Sequence, residues 1–235
     1  MPVSTPFGLA RVLAADDETA AFRALRLALP PPLAAAHQRP GQVVKVRTPV
    51  GEGYLALASA PSPAGQVDLL VKRGGKVADA ALTAAAPGGT LEISAPFGKG
   101  FPVEEAHGRD VLLFAAGSGI APIRALVQHL VAHRESFGRV TLFYGQRHGA
   151  DFAYQREHLG WERRGVRVVL CPTADDSAWR GVRGRVHEVA SALSFGGGTT
   201  GDAVAFACGM TAMVEEVRAT LARSGIPPDH VHANF

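Results

Sequence analysis

Two rhythms of apolar and polar residues run along the chain and change over near residue 105. Before that point the apolar stretches are short, at Gly8–Val12, Ala21–Leu29, Val43–Thr48, Tyr54–Ser59, Val67–Arg73 and Thr90–Ser94. Turn signals separate them: Arg39-Pro40-Gly41, Gly51-Glu52-Gly53, Pro61-Ser62-Pro63, Gly74-Gly75 and Pro87-Gly88-Gly89. Proline presets one dihedral and glycine tolerates the left-handed region, so such clusters end strands and reverse the chain. Six short strands closed by turns predict a small antiparallel β-barrel. After residue 108 a continuous apolar run alternates with an amphipathic stretch: Val111–Ala116 then Pro122–His133, Val140–Tyr144 then Asp151–His158, Val166–Cys171 then Val186–Leu193, Val204–Cys208 then Thr211–Ser224, and finally Val231–Phe235. Strands buried on both faces read as unbroken apolar runs, so this half predicts an α/β domain on a five-stranded parallel sheet. The expected domains are 1–105 and 106–235.

Composition narrows the function classes. The 235 residues are 47% hydrophobic and 19% charged, a globular balance that excludes disorder and fibrous repeats. Lys and Arg exceed Asp and Glu by three, 24 against 21. They are scattered rather than clustered, so no nucleic-acid partner is expected. Two cysteines, Cys171 and Cys208, are too few for a disulfide framework, a zinc cage or an iron–sulfur cluster. A reducing cytoplasm is therefore the expected compartment. The N-terminal residues lack the order of a signal peptide, and the longest apolar run, Val111–Ile123, is too short and too glycine-rich to span a bilayer.

The segment from Asp110 to Arg124 carries the chemistry. A buried strand runs directly into Gly117-Ser118-Gly119 and then into a helix with Pro122 in its first turn. Exposed amides and the positive dipole end of a helix favour an anion, and glycines let a phosphate approach, so a diphosphate is the expected ligand. Pro122 stands where the third glycine of G-x-G-x-x-G belongs, and no Gly-Lys-Ser/Thr follows, so the loop is neither dinucleotide fingerprint nor Walker loop. An ordinary strand-to-helix turn would read the same way. Ser118 as a hydrolase nucleophile requires glycines where Ala116 and Ile120 stand. His129 and His133 share a helix face without a nearby acid or cysteine to complete a metal site, His230 and His232 alternate on a strand, and Asp175 and Asp176 read as loop residues.

Seven segments occur in the order found in the ferredoxin–NADP reductase-like flavoproteins. Arg39-Pro40-Gly41-Gln42 resembles the RPGQ turn of their flavin barrel, and Ser94 to Phe101 resembles the GP-x-G-x-F stretch that leaves it. Gly117-Ser118-Gly119-Ile120-Ala121-Pro122 is similar to their nicotinamide-diphosphate loop. Tyr144-Gly145-Gln146-Arg147 with Tyr154 and Glu157 is similar to the YG-x-R…Y…E pattern. Trp179-x-Gly181-x-x-Gly184-x-Val186, Cys208 to Met213 and the aromatic terminus Phe235 continue the resemblance. Tyr54 to Ser59 most resembles a plant and bacterial branch related to a kiwi-fruit protein.

The resemblance implies FAD held by the first domain and NAD(P)H by the second, with electrons passing to a small-molecule or protein acceptor. It places flavin-binding residues at Tyr54, Ala56, Leu57, Ala58, Ser59, Val71, Lys72, Arg73, Gly75, Lys76, Val77 and Ala78. Gly117, Ser118, Gly119, Ile120, Pro122, Arg147, Gly209 and Met210 would take the nucleotide, Cys208 would lie beside the nicotinamide, and Phe235 would cover the flavin as a gate.

The fourth strand departs from the family's R-x-Y-S-x-A-S. Gly53, Leu55 and Ala56 stand where the arginine, tyrosine and first serine belong, and Lys76, Val77 and Ala78 follow Gly74-Gly75 without a Ser or Thr. Backbone amides with Arg73 and Lys76 are the expected substitutes for the missing cation. A non-enzymatic nucleotide-binding or electron-transfer-complex subunit with a weakened flavin site is the alternative. Arg147, Arg180, Arg183 and Arg185 could meet a 2′-phosphate, but Asp175 and Asp176 would repel it, which favours NADH.

Overall fold

The computed structural model describes residues 5–175, 177–196 and 202–234. The chain divides between Gly100 and Phe101 into two compact units. The first holds six strands: β1 (Phe7–Asp17), β2 (Phe22–Ala28), β3 (Val43–Thr48), β4 (Gly51–Ala56), β5 (Gln66–Lys72) and β6 (Thr90–Ser94). All neighbours are antiparallel, in the order β4-β3-β6-β1-β2-β5. Alternate side chains such as Ala10, Val12, Leu25, Leu27, Val44, Val46, Leu69 and Ile93 point inward and are buried. The sheet curls until its edges β4 and β5 meet through one bridge, Leu57↔Leu69. It is thus a curled half-barrel closed at a point rather than a fully laddered barrel.

Two helices in this unit were not expected: α1 (Pro31–Ala34) and α2 (Lys76–Ala84). Gly74-Gly75 does not close a hairpin. Gly75 is the extended N-cap of α2, whose Ala81 packs into the barrel core.

The Arg39–Gln42 turn and the stretch that follows β6 hold each other. Gln42 Oε1 accepts the amides of Gln38 and Arg39 at 2.7 and 3.1 Å, while its Nε2 donates to the Gly98 carbonyl at 3.3 Å. A Cβ on Gly100 would lie 2.7 Å from both Arg39 Cβ and the Pro40 carbonyl oxygen, so this position admits only glycine. Beside this turn His37 is buried, its Nε2 has no hydrogen-bond partner, and desolvation pushes its pKa down to about 4 from 6.5. The folded state therefore prefers the neutral ring. His37 costs nothing above pH 6.5 and destabilises progressively as pH falls toward 4, by about 2 kcal/mol at pH 5. Urea unfolding at pH 7 and pH 5 should show this loss in the native chain and a smaller one in His37→Phe; equal losses would contradict it.

The second unit contains β7 (Asp110–Ala116), α3 (Ile120–Ala132), β8 (Val140–Gln146), α4 (Gln155–Arg163), β9 (Val166–Pro172), α5 (Val186–Ala192), β10 (Ala203–Cys208), α6 (Thr211–Arg223) and β11 (Val231–Ala233). Its parallel sheet has the order β11-β10-β7-β8-β9. In order of occurrence that is 3-2-1-4-5, read from β9, the topology of the doubly wound folds. Leu112, Phe114, Phe143 and Val169 face α5 and α6 on one side. Helix α3 lies along β7 and β10, and α4 along β9. Helix α4 starts four residues later than the amphipathic pattern suggested. Phe152, Ala153 and Tyr154 are buried beneath it, and Tyr154 enters the helix with φ 60°, a left-handed turn that blocks helical continuation from Asp151.

Candidate functional site

The order of the parallel sheet reverses between β7 and β10, because the chain leaves β7 toward β8 on one side and returns to β10 on the other. Loops at the carboxyl ends of such strands part to leave a crevice, which is where open α/β folds bind ligands. Here β7 delivers Gly117–Gly119 as a single 3-10 turn and β10 delivers Cys208-Gly209. The two turns lie against each other. A Cβ on Gly119 would stand 2.1 Å from the Cys208 carbonyl oxygen and 2.9 Å from the Gly209 nitrogen. A Cβ on Gly209 would meet Met213 at 2.5 Å and Ala116 at 3.1 Å. Glycine is thus required at 119 by backbone packing within the protein, not by the approach of a phosphate as the sequence suggested. Gly117 is different: its φ is +57° and its Cβ position opens on space.

The loop feeds directly into α3, whose N-cap Gly119 supplies no side-chain acceptor. This end of the helix therefore has no capping side chain, although the Ile120 amide donates back to the Gly117 carbonyl, and a thirteen-residue helix directs its dipole toward the turn. Tyr144 braces the loop from β8. Its buried hydroxyl donates to the Gly117 carbonyl at 3.4 Å and accepts from Gln146 Nε2 at 2.8 Å and the Ala153 amide at 3.3 Å. Ser118 is exposed at the tip, whereas Ile120 and Pro122 are buried in α3 and serve the loop as packing.

Cys208 ends β10, half-buried, and burial pushes its thiol pKa up to about 11. The group is a neutral thiol at physiological pH and not a nucleophile. Cys171 in β9 is fully buried and pushed up to about 12. Strands β8 and β7 separate the two, and both thiols are free, as the sheet order requires. Met210 follows, 73% exposed, at the start of α6.

Arg147 is exposed two residues beyond Gly145, the register partner of Ala116, and so on the same carboxyl edge. The other arginines expected near it are engaged. Arg180 donates to the Ser177 carbonyl, Arg183 pairs with Asp175, and Arg185 pairs with Glu216. Asp175 is therefore neutralised rather than repulsive; Asp176 and Phe235 lie outside the described residues. His129 and His133 lie with ring centroids 4.5 Å apart and planes tilted by 33°, and the described residues hold no group of three metal-ligating side chains. His230 contacts Arg109 and His232 pairs with Glu105.

Sequence reasoning missed Arg124. It is buried in α3 among apolar residues and binds Glu157 of α4 through Nε at 3.0 Å to both oxygens and through Nη2 at 2.7 Å. Its guanidinium lies 4.6 Å from the Tyr154 ring centroid. A lone arginine in an otherwise apolar helix face was the available signal. The cluster ties α3 to the start of α4 behind the glycine turn.

In the first unit the expected flavin positions divide. Tyr54 is 66% exposed, with Phe97 edge-on at 6.2 Å and Lys45 Nζ 5.3 Å from its ring, and Leu55 and Ala56 are half-buried beside it. Leu57, Ala58 and Val71 are core residues whose side chains cannot meet a ligand, and Ser59 Oγ is occupied by the Asp68 amide at 2.9 Å. Lys72, Gly75 and Lys76 are exposed, Val77 and Ala78 half-buried. Arg73 does not stand free as a substitute cation. It pairs with Asp17 at 2.6 Å and donates to the carbonyls of Thr19 and Ala20.

Residues 113–219 match the oxidoreductase NAD-binding domain family. The chain is 30% identical over 198 residues to the gamma subunit of sulfhydrogenase 1 from Pyrococcus furiosus, covering 82% of this chain and 66% of that one. It is also 30% identical over 189 residues to the reductase component of a Pseudomonas phenol 2-monooxygenase, covering 77% of this chain and 52% of the relative. The chain thus spans two thirds or less of these relatives' own lengths. The chain belongs to the ferredoxin reductase-like family. Among solved structures, an Amycolatopsis cytochrome P450 reductase shares the fold of this ferredoxin reductase-like chain with a TM-score of 0.82 at 24% identity, over 99% of this chain and 71% of the other. A fruit protein of Actinidia deliciosa matches at 26% over 248 residues, 97% of this chain and 75% of that one, a weaker match than the branch suggested by Tyr54–Ser59.

Both cofactors that bind to this family can be tested against the residues present. The uncapped α3 terminus between two abutting glycine turns fits a dinucleotide diphosphate. On the first unit the open aromatic face at Tyr54 and Phe97 fits a flat ring.

Proposed function

We propose that this ferredoxin reductase-like chain is an NAD(P)H-dependent flavoprotein reductase that passes electrons onward to a protein or small-molecule acceptor. The observation that carries the reading is the reversal point of the parallel sheet, where the Gly117–Gly119 turn abuts Cys208-Gly209 at the N-terminus of α3. The family match over residues 113–219 supports it. When bound, the nicotinamide supplies a hydride and the flavin accepts it for release as one or two electrons.

In this reading the Gly117–Gly119 turn and the positive end of the α3 dipole hold the dinucleotide diphosphate, and Tyr144 keeps the loop in place. Cys208 and Gly209 form the wall against which the nicotinamide lies, and the exposed thioether of Met210 shields it from water. The raised thiol pKa keeps Cys208 uncharged, which suits a surface that must orient a ring rather than react with it. Tyr54 and Phe97 offer the ring surface for the flavin. No proton relay is required of the protein for hydride transfer. NADH is the favoured donor, because Arg180, Arg183 and Arg185 are engaged by the Ser177 carbonyl, Asp175 and Glu216, which leaves Arg147, of these four arginines, to meet a 2′-phosphate. The two free thiols suit a reducing cytoplasm. Among the described residues no helix is long and apolar enough to cross a membrane.

Cys208→Ala leaves a gap where the nicotinamide must align and should slow stopped-flow flavin reduction about tenfold with little loss of stability. Cys171→Ala, far across the sheet, should leave the rate nearly unchanged. Equal rates in the two variants would remove Cys208 from the site.

A further inference from the structure

We propose that the outward face of α4 is a docking surface for an acidic helix of a partner protein. The inference does not depend on either cofactor, and it concerns a surface of the second unit that the reductase reading leaves unused.

Helix α4 turns His158 and Trp161 into the unit, where they are buried. At about 100° per residue the opposite face carries Arg156, Leu159, Gly160 and Arg163, and all four are exposed. Three of them run against what a helix facing only water would use. Arg156 lies in the first turn, where the positive end of the helix dipole opposes a cation. Leu159 is 55% exposed between the two arginines. Gly160 stands in the helix interior without a left-handed φ, where glycine is the poorest residue after proline. A Cβ there would meet nothing within 4 Å, so no neighbour in the chain requires the glycine.

The charge of this face is also unanswered within the chain. Inside the helix, the positions three and four residues from Arg156 and from Arg163 are the same two, Leu159 and Gly160, so neither arginine has an acid one turn away. Among the described residues neither makes an ion pair, nor do Arg164 at the helix end and Arg167 in β9, which are exposed as well. Of the acids on α4, Glu157 is bound to Arg124, and Glu162 lies round toward His158, whose charged form it favours.

These features select one kind of occupant. Arg156 and Arg163 are about 10 Å apart along the axis, with an apolar centre between them, which matches a helix bearing carboxylates on either side of a small or apolar residue. The missing side chain at Gly160 lets the partner's backbone come close, and Leu159 then packs into the groove beside it. A lipid surface gains nothing from such a notch, and one leucine is too narrow an apolar face to seat a helix in a bilayer interface.

The test is fluorescence anisotropy of a labelled synthetic helix, with glutamates either side of an alanine and leucine face, titrated with the full chain. The acidic peptide is expected to bind about tenfold more tightly than its glutamine counterpart and to be released by salt. Arg156→Glu and Gly160→Leu should each weaken binding about tenfold while raising the urea midpoint of unfolding. One puts an anion at the positive end of the helix and the other removes glycine from its interior, so a loss of binding in these more stable chains cannot come from unfolding. Equal binding of the two peptides, native affinity in Gly160→Leu, or a Gly160→Leu midpoint below the native one would each overturn the inference. So would attachment to phosphatidylglycerol vesicles by a chain that does not bind the acidic peptide.

Discussion

Gly119→Val loses NAD(P)H binding and destabilises the second unit by about 3 kcal/mol or more. The cause is steric and internal. A Cβ at this position lies 2.1 Å from the Cys208 carbonyl oxygen and 2.5 Å from its carbonyl carbon, so the first added atom already overlaps backbone. Backbone in the interior of a parallel sheet cannot swing aside as a side-chain tip can, and the branched chain of valine enlarges the conflict. Either the glycine turn lifts away from β10 or the Cys208-Gly209 turn is displaced; both separate the two turns and misdirect the N-terminus of α3. Gly117→Ala is the control, since its Cβ meets open space and only a left-handed backbone opposes it, at a cost of about 1 kcal/mol. Denaturant unfolding and nucleotide titration of both variants distinguish them. Native stability and affinity in Gly119→Val would show that the two turns do not abut.

Arg124→Ala destabilises the second unit by about 2–3 kcal/mol. Removing one member of a buried pair strands the other charge. The full penalty is reduced here because Glu157 keeps 34% of its side chain in water while Arg124 keeps only 6%. Three short hydrogen bonds and the Tyr154 ring are lost together. Arg124→Lys should recover less than half of the loss, since an ammonium cannot reproduce the two-pronged contact or lie flat on the ring. Chemical denaturation measures both. A loss below about 0.5 kcal/mol would mean that the cluster is solvated rather than structural.

The parallel sheet was legible because its strands are buried on both faces. Runs such as Val111–Ala116 and Val204–Cys208 carry no polar alternation and fall within a residue of the observed strands. Helix α2 was not legible because alanine is its commonest residue, which favours a helix without marking a face, and because Gly74-Gly75 reads equally as a hairpin turn or as a cap. The site residues illustrate a second limit. Periodicity located the glycine turn but could not show what touches it, and so the reason for Gly119 was misassigned from the ligand side. Arg73 offered itself as a cation because its partner Asp17 lies 56 positions away in sequence, and Arg124 went unnoticed because Glu157 lies 33 away. Side-chain pairing across such distances is set by strand order and helix packing, which local patterns do not encode.

The central claim is that nucleotide bound at the Gly117–Gly119 and Cys208-Gly209 turns reduces a flavin held by the same chain. The most direct measurement is anaerobic stopped-flow absorbance of the flavin-reconstituted protein mixed with NADH, with NADPH, or with neither. Rapid bleaching of the flavin band by NADH, slower bleaching by NADPH, and none in Gly119→Val is the predicted result. A flavin band that neither nucleotide bleaches, or one that Gly119→Val bleaches at the native rate, would contradict it.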